Sequence, residues 1–362
     1  MKTSGISDSL LEYAHQLLDL ALREGAAEAE IYGMVGHSVD VDLRKGSVEM
    51  ASESFHRGLG LRAVVLGAVG FSSTSDMSLL EYVAKSAVKS ARARGPDESW
   101  LSLPAPEKVV PVQGIFDPRL ERISPEECLD AAASMLEGCR MVKEAEPVAG
   151  GVACICGTGL VINSMGLELQ ETSTLMQASM EAIAKSGDVA TGSEFFNSRV
   201  FQPSMESVGK AAAEMARASL AGAKAESGTF NVLLKPMAVA ELLENTILSA
   251  LEADNVQKGR SSLKGRVGEM ISSEWLSVHD DGLLKGGIDS SSFDGEGVPS
   301  QRTALIEKGI LKGFLYDSYT AGKAGIKSTG NAVRQGYSDV PRVGIRNLIV
   351  SSPDAQDRKS VV

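Results

Sequence analysis

Cysteine and histidine, the residue types that most often hold zinc in proteins, are scarce in this 362-residue sequence, which has four of each. The cysteines are too few and too irregularly spaced for a disulfide framework, so a reducing compartment such as the cytoplasm is expected. Cys128 and Cys139 share one face of a predicted helix, and Cys154 and Cys156 point to one side of a predicted strand. Neither pair is completed to a four-ligand zinc site.

The four histidines are also scattered, at His15, His37, His56 and His279. Nucleophilic catalysis needs a base next to its nucleophile. No Ser-His-Asp or Cys-His arrangement can be derived from positions so far apart.

Long apolar runs and an excess of basic residues are missing as well. No apolar run reaches the length of a membrane span, and the first eight residues lack the basic start and apolar stretch of a secretory signal. The net charge is −11, from 36 lysines and arginines against 47 acidic residues. Nucleic-acid binding needs a basic face. We therefore expect a cytoplasmic protein with neither a nucleic-acid nor a membrane partner.

Residues 1–100 are predicted to form an N-terminal α+β domain. Apolar residues at helical spacing over 7–24 indicate an amphipathic helix, and a second helix is predicted over 77–93. Short strands between them suggest an antiparallel meander. Three turn signals separate these strands, at Gly36, Lys45-Gly46 and Gly58.

A second α+β unit is predicted after a break in the chain. Residues 96–118 hold five of the twelve prolines, which indicates a linker over 101–118 and a domain boundary. A capping box at Ser124, with proline at the first helical position, then opens a middle domain over 119–226. The two helix-plus-antiparallel-sheet units suggest a distant duplication.

Residues 227–356 are predicted to form a third, β-rich domain. It begins with a strand over 230–234 and a helix that starts at Pro236. His279–Gly282 is predicted to be a hairpin turn, because Asp-Gly is a favoured turn pair.

The most unusual stretch of the sequence is 293–302. It places Asp294, Glu296 and Gly297 close to a Gln-Arg pair. Paired carboxylates can carry acid–base chemistry. They also cap turns, or form an ion pair such as one with Arg302, and this structural role is favoured here because it is the commoner one.

A second unusual stretch, 327–334, places small polar residues around a glycine with an arginine nearby. Such a loop suits an extended peptide or a carboxylate held through backbone groups, and a loop that satisfies only itself is the alternative. The candidate substrate or partner contacts from both stretches are Gln301, Arg302, Gly330, Asn331 and Arg334.

These two stretches carry a resemblance to the TldD/PmbA family, and the run Leu43–Thr74 is similar to the family's first domain. The resemblance covers most of the chain and implies the TldD/PmbA fold. It also implies a heterodimer that degrades or matures unfolded peptides. The motifs that carry it are Asp294-Gly295-Glu296-Gly297, Gln301-Arg302, Gly309–Gly313, Tyr319-Thr320-Ala321 and Ser328–Ala332.

The resemblance fails at the motif that matters for catalysis. TldD-type members carry His-Glu-x-x-x-His on a helix, where the histidines hold zinc and the glutamate acts as base. Counting back from Gly265–Gly268, that motif falls on Glu244–Ser249, with Glu244 and Ser249 at the histidine positions and Asn245 at the glutamate position. The resemblance therefore implies a PmbA/TldE-type subunit without a cofactor, whose TldD-type partner holds the zinc.

The end of the chain departs from the family too. Family members continue beyond the strand near Arg346–Val350, whereas this sequence ends at Val362. Its last six residues, 357–362, match the translation of a common sequencing-adapter oligonucleotide. We expect the natural protein to be longer and this tail to be non-native.

Two rival hypotheses remain open at this point. One is a free-standing metallopeptidase that uses Asp294, Glu296 and His279 for a different metal. The other is a non-enzymatic regulator that acts on DNA gyrase, as an older family name suggests.

Overall fold

The computed structural model describes residues 3–220, 222–224 and 226–353. The predicted non-native tail, 357–362, lies outside them. The α+β class is confirmed. Among the described residues, no helix is both long and apolar enough to cross a membrane.

One six-stranded antiparallel sheet forms the centre of the first 200 residues, in the order β3-β2-β1-β4-β5-β6. β1 pairs with β4 from Glu30↔Asn163 to Arg44↔Ala149, so the strands of the two predicted units are continuous in a single sheet. The strands are β1 (Glu28–Arg44), β2 (Ser47–Val65), β3 (Ala68–Thr74), β4 (Ala145–Asn163), β5 (Glu168–Lys185) and β6 (Val189–Ser198).

Four helices cover one face of this sheet, because alternate strand residues such as Ile31, Val39 and Val41 are apolar and buried on that side. The first two helices pack on one half of the sheet and the last two on the other. A three-residue 3₁₀ helix precedes α2 (Met77–Leu79) and another precedes α3 (Leu120–Arg122). The helices are α1 (Thr3–Arg23), α2 (Leu80–Arg94), α3 (Pro125–Arg140) and α4 (Glu206–Ala218).

Two of the three predicted turn signals are wrong. Lys45-Gly46 is a turn, but Gly36 lies inside β1 and Gly58 inside β2. A Cβ at Gly36 would overlap the His56 ring, and one at Gly58 would overlap the Tyr337 ring. Glycine is present at these positions because another group approaches the strand closely, not because the chain turns.

The predicted capping box at the start of α3 is confirmed. The Glu127 N–H donates to Ser124 Oγ at 3.3 Å, and the Ser124 N–H donates to Glu127 Oε2 at 3.2 Å. Pro125 occupies the first helical position, where a missing N–H costs nothing. Two otherwise unpaired donors are thereby satisfied.

The C-terminal part combines short helices with two small sheets, β12-β7-β8-β9 and β10-β11. A π turn, Glu244–Leu248, separates α5 from α6. The helices are α5 (Pro236–Leu243), α6 (Ser249–Leu251), α7 (Ala253–Gln257) and α8 (Ser318–Ala324). The strands are β7 (Ser277–Asp281), β8 (Arg302–Glu307), β9 (Ile310–Leu311), β10 (Ala332–Val333), β11 (Arg342–Val343) and β12 (Leu348–Ser351).

Two predictions for this part are wrong. Residues 230–234 are not a strand, since no described strand pairs with them, and their large apolar side chains are exposed. His279–Asp281 continues β7 and is not a turn. The Asp280 side chain is buried there, where it accepts from Asn331 Nδ2 at 2.6 Å and from the Arg346 N–H at 2.9 Å.

The predicted linker, 101–118, contains no helix or strand. Glu28 of β1 fixes its start. The Trp100 indole donates to Glu28 Oε1 at 3.1 Å, and the Leu103 N–H donates to Oε2 at 2.6 Å. The linker is thus tied to the sheet at a point close to the C-terminal part.

Gly209→Ala provides a test of helix packing. A Cβ at Gly209 of α4 would overlap the Met135 carbonyl oxygen of α3. Alanine normally stabilises a helix interior relative to glycine by about 1 kcal/mol. Here we expect the reverse, a loss of about 1–3 kcal/mol in unfolding free energy, because the two helices must separate. The exposed Arg217→Ala on α4 should change the unfolding free energy by less than about 0.5 kcal/mol. Urea denaturation of both variants measures these changes in unfolding free energy. A stabilised Gly209→Ala protein would contradict the close packing of α3 and α4.

Candidate functional site

Four buried charged residues meet on the sheet face opposite the helices. Arg62 donates from Nη2 to Glu30 Oε2 at 2.7 Å and from Nη1 to Glu296 Oε1 at 2.7 Å. Arg334 donates from Nη2 to the other Glu30 oxygen. We call Glu30, Arg62, Glu296 and Arg334 the ionic cluster. Two cations face two anions in it, so the buried charges balance, as burial of charge requires.

The strands of the sheet place the first two members. Ala29 and Ile31 point into the helix-side core, so Glu30 between them points to the opposite face. Arg62 lies directly across on β2, in the pair Glu30↔Arg62. The guanidinium also lies over the Trp100 ring, with Cζ 5.6 Å from the centroid.

A tight loop places Glu296. Asp294 Oδ1 accepts from the N–H groups of Glu296 and Val298, and Oδ2 accepts from the Ala332 N–H. Gly297 has φ +83°, a left-handed conformation that favours glycine. The predicted structural motif therefore folds around the Asp294 carboxylate, which leaves Glu296 free to face Arg62.

Burial and neighbouring charge shift the pKa values of Asp294 and Glu296 in opposite directions. Burial, with the neighbouring Glu296 charge, raises the pKa of Asp294 to about 7. Burial alone would also raise the pKa of Glu296, but the Arg62 charge and the N–H of Ser318, which donates to Oε2 at 2.8 Å, hold that pKa below its ordinary value. Glu296 therefore serves as an anion, and Asp294 titrates near neutral pH.

The structure brings the two predicted stretches together. The Gly295 N–H donates to the Ala332 carbonyl at 2.7 Å, and Gln301 Nε2 donates to the Ser328 carbonyl at 3.2 Å. Arg334 also donates from Nε to the Gly295 carbonyl at 2.8 Å. Stretches 293–302 and 327–334 thus form one unit.

The five candidate contact residues divide into exposed and buried ones. Gln301 and Arg302 are exposed. Asn331 is buried, and its amide donates to Asp280 and to the Gly344 carbonyl. The side chain of Arg334 is 1% exposed, and Gly330, at φ +70°, lies close to the Pro299 carbonyl. Their predicted role as contacts stays a prediction, and only the first two are open to a ligand in this structure.

The predicted ion pair to Arg302 is not formed. Glu296 pairs with Arg62, which comes from the first domain, while Arg302 Nη2 lies 3.4 Å from His279 Nδ1. Glu30 and Arg62 were missed by sequence reasoning. The available signal was an arginine inside the otherwise apolar run Leu59–Val65, which marks a buried cation in need of a partner.

The positions predicted to correspond to the zinc motif lie on the helix interrupted by the π turn. Glu244, Asn245 and Ser249 are all exposed. The Asn245 amide donates to the carbonyl of Glu241 at 2.8 Å, one turn earlier. Within residues 3–220, 222–224 and 226–353, no three His, Cys, Asp or Glu side chains are grouped closely enough to hold a metal ion.

Removing the cation at the centre of the ionic cluster tests its importance. Arg62→Met leaves Glu30 and Glu296 buried without their shared partner. Breaking a buried pair on one side costs about 3–5 kcal/mol, and we expect that loss in unfolding free energy. Arg57→Met, at an exposed position of the same strand, is the matched control. Equal urea midpoints for the two variants would show that the cluster contributes nothing.

The pKa of Asp294 predicts a pH dependence of stability. Its folded value, about 7, lies above its ordinary value of 3.8. The stability that this group contributes is therefore complete below about pH 4 and is lost as the pH rises toward 7. The wild-type protein should lose on the order of 2–4 kcal/mol relative to Asp294→Asn across that interval. Urea denaturation at several pH values measures the difference, and a difference independent of pH contradicts the assignment.

Three family models match this chain. They are described as PmbA/TldA metallopeptidase domain 1, central domain and C-terminal domain, and match residues 29–91, 118–220 and 227–361. An uncharacterized protein of Methanocaldococcus jannaschii is 31% identical over 92% of this chain and 77% of its own length. The metalloprotease PmbA of Escherichia coli O157:H7 is 26% identical over 86% and 71%.

Solved structures share the fold. TldE from Thermococcus kodakarensis superposes with a TM-score of 0.84 at 22% identity, over 96% of this chain and 79% of that one. A putative modulator of a DNA gyrase from Thermotoga maritima gives 0.83 at 24% identity, over 94% and 77%. Together with the matches of all three domain models, these likenesses lead to one conclusion: the chain belongs to the PmbA/TldD metallopeptidase family.

Proposed function

We propose that this chain is a PmbA/TldE-type subunit that has no zinc centre of its own and works with a TldD-type zinc protease subunit on unfolded peptides. The observation that carries the proposal is the chemistry at Glu244, Asn245 and Ser249. A hydrolytic zinc site needs several ligands and a base that activates the bound water. One carboxylate, one amide and one hydroxyl do not supply them.

The local geometry supports the same conclusion. Asn245 is the residue predicted at the position of the catalytic glutamate, and an amide does not accept a proton at neutral pH. Its Nδ2 donates to its own helix. The Asn255 amide in turn donates to the Ser249 carbonyl at 2.9 Å. These bonds stabilise the helix as a structural element.

The family likeness supports the partnership. Relatives are named metalloproteases, among them PmbA of Escherichia coli O157:H7 and a TldD homologue of Haemophilus influenzae. A member without zinc ligands would serve proteolysis by shaping the space in which a partner cleaves. Gln301 and Arg302, both exposed, are the proposed contacts to peptide or partner. Gly330, Asn331 and Arg334 would hold their loop in place, and the complex would act in the cytoplasm.

The two rival functions find no favourable observation. For a free-standing metallopeptidase, Asp294 and Glu296 would have to face a metal, yet Asp294 accepts from three backbone N–H groups and Glu296 from Arg62 and Ser318. His279 lies beside the Arg302 guanidinium, which disfavours a cation. For a gyrase regulator, the net charge of −11 permits a protein partner but identifies no surface that would bind it.

Reconstitution tests the proposal. We expect the purified chain alone to contain less than a tenth of an equivalent of zinc and to leave reduced, unfolded casein intact. Addition of a TldD-type subunit from the same genome should give a stable complex and cleavage that a chelator abolishes. A partner whose His-Glu-x-x-x-His glutamate is changed to glutamine is the control. Stoichiometric zinc together with casein cleavage by this chain alone would overturn the proposal.

A further inference from the structure

The sheet face opposite the helices is covered by C-terminal loops on one half only. Over β1 and β2, Arg334 Cζ lies 4.8 Å from the centroid of the Tyr32 ring, and the Tyr337 ring lies against Gly58. Over the other half, a depression of about 430 Å³ is lined by residues of β1, β4, β5 and β6 alone, as far as the described residues show. The same sheet therefore has one occupied half and one open half.

Strand register gives the depression its shape. Its side chains form two rows that cross the sheet from β1 to β6, and they point away from the helices because the residues between them, such as Met176, are buried under α3 and α4. β4 contributes only a glycine and an alanine, so a hollow separates the carboxylates on β1 from the larger side chains on β5 and β6. The rows are Asp42, Gly151, Ser179, Phe195 and Asp40, Ala153, Gln177, Asn197. We call these two rows, together with Glu181 of the next row, the bare face.

The anions of the bare face have no counter-ions. Within the described part of the chain, none of Asp40, Asp42 and Glu181 forms an ion pair. The described residues that line the depression include no lysine, arginine or histidine. Arg44 lies in the same row as Glu181, but it pairs with Glu49 at 3.0 Å. The bare face therefore presents uncompensated negative charge.

An aromatic ring stands exposed on the far side of the hollow. A polar outer face is normal for an antiparallel sheet, and Gln177, Ser179 and Asn197 fit that description. Phe195 does not, because its ring is apolar and 49% exposed. A guanidinium or ammonium group binds favourably over the face of such a ring. The ring and the carboxylates opposite it thus suit the same kind of group, a cationic side chain.

Charge determines which kind of polypeptide this face fits. The whole chain has 47 acidic against 36 basic residues and a net charge of −11, so two bare faces brought together would repel each other. Complementary charge attracts a positive surface to the bare face and excludes a negative one. The face therefore fits a different polypeptide with an exposed basic loop, and it disfavours a second copy of this chain.

We propose that the bare face docks a basic loop of the partner subunit. A lysine or arginine of that loop enters the hollow over Gly151 and Ala153, pairs with Asp40 and Asp42, and lies against the Phe195 ring. The open half of the sheet is then covered by the partner, as the other half is covered by loops of this chain. The identification of the partner as a TldD-type subunit rests on the proposed function.

Charge reversal tests the electrostatic part of this proposal. The binding of the full chain to a TldD-type subunit from the same genome is measured by biolayer interferometry at low and at high salt. Asp42→Lys combined with Glu181→Lys should weaken binding at least tenfold at low salt, mainly through slower association, and less at high salt. Glu12→Lys combined with Asp19→Lys makes the same charge change on the exposed side of α1 and should change binding less than twofold. Equal effects of the two double variants overturn the docking surface.

Variants that leave the charge unchanged test the shape of the hollow. Ala153→Leu fills its floor and should weaken binding severalfold, whereas Ala51→Leu, at an exposed position of β2 outside the depression, should not. Phe195→Ser removes the ring and should weaken binding severalfold. Tyr82→Ser removes an exposed ring from α2 and should have no effect. Circular dichroism first confirms that each variant is folded.

Photo-crosslinking identifies what occupies the face. With p-benzoylphenylalanine in place of Phe195, irradiation of the complex should join the two subunits. Mass spectrometry should place the crosslink in a partner segment that contains lysine or arginine. The same group in place of Tyr82 is the control and should give no crosslink to the partner. A crosslink from position 195 to an acidic segment, or to another copy of this chain, overturns the basic loop.

The outcomes separate this proposal from the proposed function. A complex that cleaves casein, is insensitive to the charge reversal and gives no crosslink at position 195 overturns the docking surface alone. A wild-type chain that binds no TldD-type subunit from its genome overturns both. Weakened binding of the reversed variant, with a crosslink to a basic segment, supports the docking surface even if the complex leaves casein intact.

Discussion

The balance of charge inside the ionic cluster is the constraint on which the arrangement of this protein depends. A buried carboxylate or guanidinium is tolerated only beside an opposite charge, because water is no longer there to solvate it. Glu30 and Arg62 come from the sheet, and Glu296 and Arg334 from loops far along the chain. The Glu30–Arg334 pair alone joins residues 304 positions apart. The charges on the sheet and those on the loops are all paired only when the loops pack on the sheet in one arrangement.

Several other features follow from that arrangement of the loops on the sheet. The loops containing residues 293–302 and 327–334 are held against each other and against β1 and β2, which orients Gln301 and Arg302 outward. The linker passes between the two parts and is tied to Glu28 beside the cluster. The ionic cluster therefore connects the packing of the sheet and the loops with the outward position of Gln301 and Arg302.

Sequence reasoning succeeded where the signal is local. The capping box at Ser124 and the start of a helix at Pro236 each depend on a few neighbouring residues. It failed where the cause is distant. Gly36 and Gly58 resemble turn signals until the groups that press on them, His56 and Tyr337, are seen.

The candidate site shows the same division. The sequence predicts a structural role for Asp294 and Glu296, but the partner of Glu296 is 234 residues away and no local pattern indicates it. His279–Gly282 has the composition of a turn, yet Asp280 stays in a strand because β8 and β12, both later in the chain, pair with β7 on its two sides. Family membership and chemistry are separable in this fold, since the reaction depends on particular side chains and not on the scaffold. In the proposed function, other groups stand near Asn245 where TldD-type members carry imidazoles, on a scaffold that is otherwise shared.

The pairing of β1 with β4 has a consequence for how the chain is made. During synthesis β1 acquires β2 as a neighbour early, but its other edge waits until the ribosome has delivered β4, more than a hundred residues later. Contacts of such long sequence separation form slowly. The nascent N-terminal unit therefore displays an open strand edge until β4 is made. An open edge can pair with a strand of a neighbouring polypeptide. Protection by a chaperone is most useful during this interval.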